Sequence, residues 1–559
     1  MDQMSNVAMS VLVNRYYNKG TAFTEKERRD NGILGRLPPR VETLEQQVSR
    51  AMDQLDKFEK PIEKYVHLNS IHSGNVTLYY AILQNYPEKM LPIVYTPTVG
   101  EACQKFGSIF VRERGLYLSS CYRSEFPACI EDSRYTDVDI IVVTDGSRIL
   151  GLGDLGANGM GISVGKCALY VVGAGLRPRR VLPVLLDCGT NTESIRNDPY
   201  YLGQPIPRVN DETFFGCLDD FMETAAKKWP TAVIQFEDFS NNHCFDMLER
   251  YRNKYRCFND DIQGTGAVVS SGFVSGMEAS GIAPPKHRVV VFGAGSAAAG
   301  VVDSICKLVA YRTGVPEADV CKCFYLVDTK GLVTTTRGDE LAAHKVRFAR
   351  TEISAEESKK LTTLRDVVNF VKPTAFLGLG GVGPVLDKEM VNVMMSVTEK
   401  PLIFPLSNPT SKAECNPVEV YQWTNGNAII ASGSPFPSVT VNGKVCKPSQ
   451  GNNLYVFPGL GLGVSLAQPE TISDDIILAA SARLQDLLSP EDRAEGALYP
   501  SLTRIRWVSL EIATAVIEKC QELGVGAKNI PTDRASILKY VEARMWQPAY
   551  GAEGKDNIV

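Results

Sequence analysis

Two acidic pairs stand where carboxylates could do chemistry: Glu237-Asp238 in VIQFEDF and Asp260-Asp261 in CFNDDIQGTG. Each follows a short apolar or aromatic run, so a strand end would deliver it to a crevice. Three or four carboxylates converging there would bind a hard divalent cation through oxygen. A few dozen residues further on, VVVFGAGSAAAG reads as strand, tight turn and helix, with the pattern Gly293-x-Gly295-x-x-Ala298. The first glycine allows the turn and the second lets backbone approach a pyrophosphate. Ala298 permits close helix–strand packing, and the helix N-terminus favours phosphate charge. The bland alternative is a glycine turn in an unrelated α/β unit. Metal carboxylates beside a nicotinamide site point to oxidation of a metal-chelated hydroxy acid.

The acidic residue expected on the ribose is Asp328, closing CFYLVD; it lies about 30 residues past Ala298, beyond the usual interval of about 20. A longer helix and loop, CKLVAYRTGVPEADVCK, would absorb the difference. Asp328 alone favours NAD. Lys330, Arg337 and Lys345 follow it and could neutralise a 2′-phosphate, or could form a solvated basic loop. The run TDGSRILGLGDLGANGMGISVGKC ends at Gly165-Lys166 and is not a P-loop, because Met160 and Cys167 stand where Gly and Ser/Thr are required. A lysine walled in by backbone and apolar groups has a lowered pKa and can serve as a general base. The alternative is a surface lysine ending a helix turn. Arg148 in the same run could clamp a carboxylate bidentately or form a surface ion pair.

The elements that must carry these residues follow from the texture of the chain. Its 559 residues allow two to four domains, and the 44% hydrophobic content supplies a sizeable core. Residues 1–112 read as a helical N-terminal domain, with apolar spacing near 3.6 in VETLEQQVSRAMDQLDKFEK. From about 137 onward, DVDIIVVTDG, VLPVLLDCGT and TAVIQFEDF read as buried parallel strands of a substrate and metal α/β domain. That domain spans 113–259 and is completed by 453–524. A Rossmann-like domain over 260–452 carries VVVFGAG, CFYLVD, AFLGLGG, PLIFPLSNPT and AIIASGS, and 525–559 forms a helical tail. The expected fold is therefore multidomain α/β, with two parallel α/β domains behind a helical one.

Composition excludes several classes. A net charge of −5 argues against non-specific nucleic-acid binding, and no apolar run is long enough for a transmembrane helix. The 14 cysteines contain no CxxC and read as reduced thiols of a cytosolic chain, most of them small buried apolar residues. His67, His72, His243, His287 and His344 lie in no ligand spacing, so proton transfer falls to Lys, Tyr or carboxylates. The N-terminal MDQMSNVAMSVLVNRYY lacks a basic region followed by a clean apolar stretch. The cytosol is the expected compartment, with the mitochondrial matrix as the alternative.

Taken together, the chain resembles the malic enzymes along nearly its full length. The motifs that carry the resemblance are NKGTAFTEKER, LPPR, LPIVYTPTVGEACQ, TDGSRILGLGDLGANGMGISVGK, FEDF, FNDDIQGTG, GAGSAAAG, LSNPT and GNNLYVFPG, in that order. The resemblance implies oxidative decarboxylation of L-malate to pyruvate and CO2, with Mn²⁺ or Mg²⁺ and NAD(P)⁺. It implies Glu237, Asp238 and Asp261 as metal ligands, and Lys166 as general base with Asp260 as its carboxylate partner. It further implies Tyr95 as general acid and Arg148 as a substrate and cofactor contact. Asn408 and Asn453 match malate contacts, and Asn452 a nicotinamide contact. Read without the family, Tyr95 is a strand-end core tyrosine and the asparagines are turn formers. Lys330 and Lys345 resemble the NADP-dependent members, so NADP is expected, with NAD as the alternative. Gly74 stands where fumarate-activated members carry arginine, which argues against that activation. A malolactic-type catalyst without net redox is the competing activity. The family also implies a homotetramer built as a dimer of dimers.

Overall fold

The computed structural model of the protein describes residues 11–551 except 339 and 409. The chain divides into two compact units, the first comprising Met1–Phe258, Val464–Thr471 and Ala527–Val559, the second Asn259–Gly463 and Ile472–Gly526. The architecture is mixed α/β, as expected.

In the first unit, helices such as Leu44–Leu55 begin the described fold. Thr43 and Gln46 form a reciprocal capping box at its start, and Val48, Ala51, Met52 and Leu55 turn inward. The five-stranded sheet is built from β1 (Leu116–Ser119), β2 (Ile140–Thr144), β3 (Val181–Asp187), β4 (Val233–Phe236) and β5 (Cys257–Asn259), in the order β1-β3-β2-β4-β5. β3 runs parallel to both β1 and β2, and β2 runs parallel to β4. β2 and β3 are buried along their whole length, which is why they read as unbroken apolar runs rather than as alternating ones. Helix Met160–Ala174 packs on both of these strands, and on the helices Val76–Asn85, Pro87–Val94 and Thr98–Gln104. The N-terminal helices therefore share one core with the first sheet rather than forming a body of their own over 1–112.

The second unit holds a seven-stranded sheet. Its strands are β6 (Val289–Phe292), β7 (Phe324–Asp328), β8 (Gly331–Leu332), β9 (Ala375–Gly378), β10 (Leu402–Pro405) and β11 (Ile429–Ser432). An exposed hairpin follows, β12 (Val439–Val441) with β13 (Lys444–Cys446), and then the seventh strand, β14 (Ser449–Gln450). The order is β14-β11-β10-β9-β6-β7-β8, parallel throughout except for β8. The chain leaves β6 toward β7 and then crosses to β9 on the other side. That places a topological switch point beside the end of β6, where open α/β sheets bind ligands.

The segment 453–524 is divided between the two units, with 464–471 in the first and the remainder in the second. Helices Asp474–Asp486 and Ile505–Glu522 pack on each other, and the former packs on Thr265–Ser280 of the second unit. There Ser481 Oγ donates to the Ala267 carbonyl at 2.9 Å. The returning 464–471 strap is held by Arg256, whose guanidinium reaches the Pro469 carbonyl at 2.6 Å. Helical patterning marks a buried face but not the partner that covers it.

Candidate active site and dinucleotide site

Helix Met160–Ala174 is apolar nearly all round, so it is enclosed, and Lys166 goes inside with it. The surface-lysine alternative fails because the helix continues well past residue 166. Lys166 Nζ pairs with Glu237 Oε1 at 3.0 Å, and both side chains are only 2% exposed. The other Glu237 oxygen accepts from Gln235 Nε2 at 2.8 Å, and Gln235 in turn accepts from Tyr170 at 2.5 Å. Gln235 precedes Glu237 by two strand positions and so points to the same side. A lone amide in an otherwise apolar VIQF run was the one signal that could have found it.

Tyr95 is buried, but it caps helix Pro87–Val94 instead of ending a strand. Its ring centroid lies 5.4 Å from Lys166 Nζ. A β-carbon on Gly165 would come within 3.2 Å of that ring and of the Val94 carbonyl, so a larger residue there would press on both by a few tenths of an ångström. Asp238 follows β4 with φ +53, a left-handed conformation that costs a non-glycine residue energy and tends to mark functional positions. Its carboxylate accepts from Leu150 N–H at 2.9 Å and its carbonyl from Arg148 N–H at 3.2 Å. The exposed Arg148 guanidinium donates to the Asn241 side chain, an amide rather than the carboxylate of a surface ion pair. Burial, with the charge of Asp238, pushes the Cys103 thiol well up; burial with Glu237 does the same to Cys167.

Among the described residues, Glu237, Asp238 and Asp261 form the group of acidic side chains able to share an ion, their ligand atoms lying within 4.8 Å of one another. Glu237 and Asp238 are buried and Asp261 partly so, and like charges at that range repel unless a cation joins them. Oxygen-only donors fit Mg²⁺ or Mn²⁺. Asp260–Gly264 forms a single π-type turn, a device frequent at functional sites. Asp260 is fully buried, and its carboxylate accepts from Asn453 Nδ2 at 3.0 Å. Asn452 caps the following turn by accepting from Leu454 N–H at 2.9 Å. The exposed Asn408 accepts from Ser434 Oγ. The asparagines thus do form turns, as the bland reading held, while Asn453 is also tied directly to Asp260.

The glycine turn is built as its spacing demands. Gly293 has φ +110, and a β-carbon there would meet the Leu379–Gly380 backbone at 2.7–2.9 Å, the loop that follows β9. That loop, which sequence reasoning left inside a strand, is held by the buried Glu414. Its carboxylate accepts from Gly380 N–H at 3.2 Å and from Ser407. Burial raises the Glu414 pKa although the hydrogen bonds from Ser407 oppose it. The long spacing to Asp328 is absorbed by helices Ser296–Thr313 and Glu317–Cys321. Asp328 accepts both Arg337 guanidinium nitrogens at 2.8 and 2.9 Å and Lys345 Nζ at 2.7 Å. Burial works to raise its pKa, but the hydrogen bonds from Arg337 and Lys345 outweigh it and hold the carboxyl at about 2. Arg337 and Lys345 are therefore not a solvated loop, whereas Lys330 sits at the exposed β7–β8 turn.

Comparisons with known proteins show the family. The malic enzyme N-terminal domain family matches residues 72–252, and the malic enzyme NAD binding domain family matches residues 262–521. An NADP-dependent malic enzyme of Dictyostelium discoideum is 46% identical over 98% of this chain and 99% of that protein. The chain belongs to the malic enzyme family. A mitochondrial NAD-dependent malic enzyme of Arabidopsis thaliana is 42% identical over 97% of this malic enzyme chain and 91% of its own. The solved malic enzyme of Pyrococcus horikoshii shares the fold, with a TM-score of 0.53 and 22% identity over 82% of this chain and 89% of that one. Among the described residues of this malic enzyme, no helix is long and apolar enough to cross a membrane.

Proposed function

We propose that this malic enzyme oxidatively decarboxylates L-malate to pyruvate and CO2 while reducing NADP⁺, with Mn²⁺ or Mg²⁺ held by Glu237, Asp238 and Asp261. The observation that carries the reading is the acidic trio, one member of which is paired with a buried lysine in a chain of this family. A bound cation supplies Lewis acidity toward the substrate hydroxyl and carboxylate oxygens. Glu237 would then be shared between that cation and Lys166, which would compete for it. Lys166, in its neutral form after its ammonium has given up a proton, would accept the C2 hydroxyl proton as hydride passes to the nicotinamide, with Asp260 as its carboxylate partner. Tyr95 delivers a proton to C3 once CO2 has left. Arg148, Asn408 and Asn453 orient malate, and Asn452 the nicotinamide.

NADP is preferred to NAD on charge balance. Arg337 and Lys345 both reach Asp328 at the ribose end, where their cations could meet a 2′-phosphate. The proposed assembly is a homotetramer, as the family resemblance implies. The deciding assay follows reduced nicotinamide absorbance with L-malate and Mn²⁺, comparing NADP⁺ with NAD⁺ and adding a chelator. Chelator-sensitive NADPH formation is expected. Malate loss without nicotinamide reduction would replace this reading with a malolactic-type one, and preferential NADH formation would reverse the cofactor.

A further inference from the structure

His344 has no ligand spacing, yet it occupies a pivotal place in the second unit. It lies in the short helix Ala343–Val346 and is half-buried. Its Nε2 is 3.1 Å from the Ala294 carbonyl oxygen, and its Nδ1 is 3.4 Å from Ser296 Oγ. A carbonyl oxygen only accepts, so Nε2 donates to it, while Nδ1 shares the second hydrogen bond with the Ser296 hydroxyl. One imidazole thus staples both flanks of Gly295. The space beside Gly295 is open, with nothing within 4 Å of where a β-carbon would stand.

The neighbouring side chains extend the same device. Lys345 reaches the other way, to Asp328 at 2.7 Å. Arg347 pairs with Asp303 on helix Ser296–Thr313 and with Glu317, fastening the far end of the short helix. One short segment therefore touches both the glycine turn that would face a pyrophosphate and the carboxylate at the ribose end.

We infer that His344 is a positioning residue for the dinucleotide, holding the Gly293–Ser296 turn in its pyrophosphate-receiving shape and coupling it to Lys345. The inference rests on the dinucleotide reading of this turn. It makes a distinction that Lys345 alone does not: the staple acts on the part common to NAD and NADP, whereas Lys345 acts on the 2′-phosphate.

The test is fluorescence titration of the full-length protein with NADPH and with NADH, without malate or metal. His344→Ala is expected to weaken both nucleotides by a similar factor, about tenfold for two lost hydrogen bonds. Ser296→Ala, which removes one contact, should give a smaller loss. His344→Gln, which keeps a donor and an acceptor, should recover most of the affinity and guards against misfolding of the alanine variant. With saturating nucleotide, the KM for malate and kcat of His344→Ala should stay near wild type, as a general loss of structure would not allow. Unchanged binding of both nucleotides in His344→Ala, or a loss confined to NADPH, would overturn the inference. Failure of the wild-type protein to bind either nucleotide would instead overturn the dinucleotide reading beneath it.

Discussion

The ends of β4 and β7 present the same element of parallel-sheet architecture with opposite charge balance. At β4, Glu237 and Asp238 are buried with Lys166 as the cation paired to Glu237. At β7, a single carboxylate, Asp328, is gripped by Arg337 and Lys345. The first end gathers carboxylates and suits a divalent cation; the second gathers bases around Asp328 and suits a phosphate. Strand ends provide the place, and the local ratio of acids to bases decides which ligand can be taken there.

The comparison breaks most sharply at β4. Glu237→Gln removes a ligand charge while keeping the shape, and turnover is expected to fall by about 10⁴-fold, several kcal/mol of lost Lewis-acid stabilisation. NADPH binding should be untouched, and near-normal malate turnover in steady-state assays would remove Glu237 from the metal site. Lys166→Ala comes next, with a loss of roughly 10³-fold in kcat from the missing base. Titration with Mn²⁺ should show cation binding retained or tightened, since the competitor for Glu237 is gone; weaker binding would contradict that competition.

At β7 the effects are smaller. Lys345→Ala is expected to raise the NADP⁺ KM by roughly ten- to a hundredfold, the range of a lost charge-assisted hydrogen bond, with little change for NAD⁺. Equal changes for the two cofactors would end the phosphate role. The least effect concerns acid stability. Asp328 has a folded pKa of about 2 against an ordinary 3.8, so its contribution to folding is complete above 3.8 and is lost as pH falls through about 2. Thermal unfolding between pH 4 and 2 should lose this increment in the wild type. Arg337→Gln should flatten the curve, and parallel curves for the two proteins would show that the pairing adds nothing.

Much of this was legible in the chain itself. Runs such as DIIVVT, VLPVLLD and VVVF are buried on both faces, so their composition alone marks them as interior parallel strands. The half-exposed β1 and the exposed β12–β13 hairpin escaped notice because neither carries such a run, although Asn442-Gly443 is a strong turn pair. Tyr95 was found by motif and misplaced by pattern, because a helix cap and a strand end look alike after LPIV. The claims on Lys166 differ in the same way: its glycine-rich setting was visible, but its pairing with Glu237 joins residues far apart in sequence.

By itself the sequence determined the family, the order of strands and glycine turn, and the residue types able to hold a cation and a dinucleotide, because those depend on local composition and spacing. Tertiary structure alone decided which charges meet. It enclosed Lys166 in an apolar helix against Glu237, gave Asp328 two cations, and set His344 across the Gly295 turn. Most of these join residues well separated along the chain, and an ion pair or hydrogen bond over a few ångströms depends on the packing that brings its partners together.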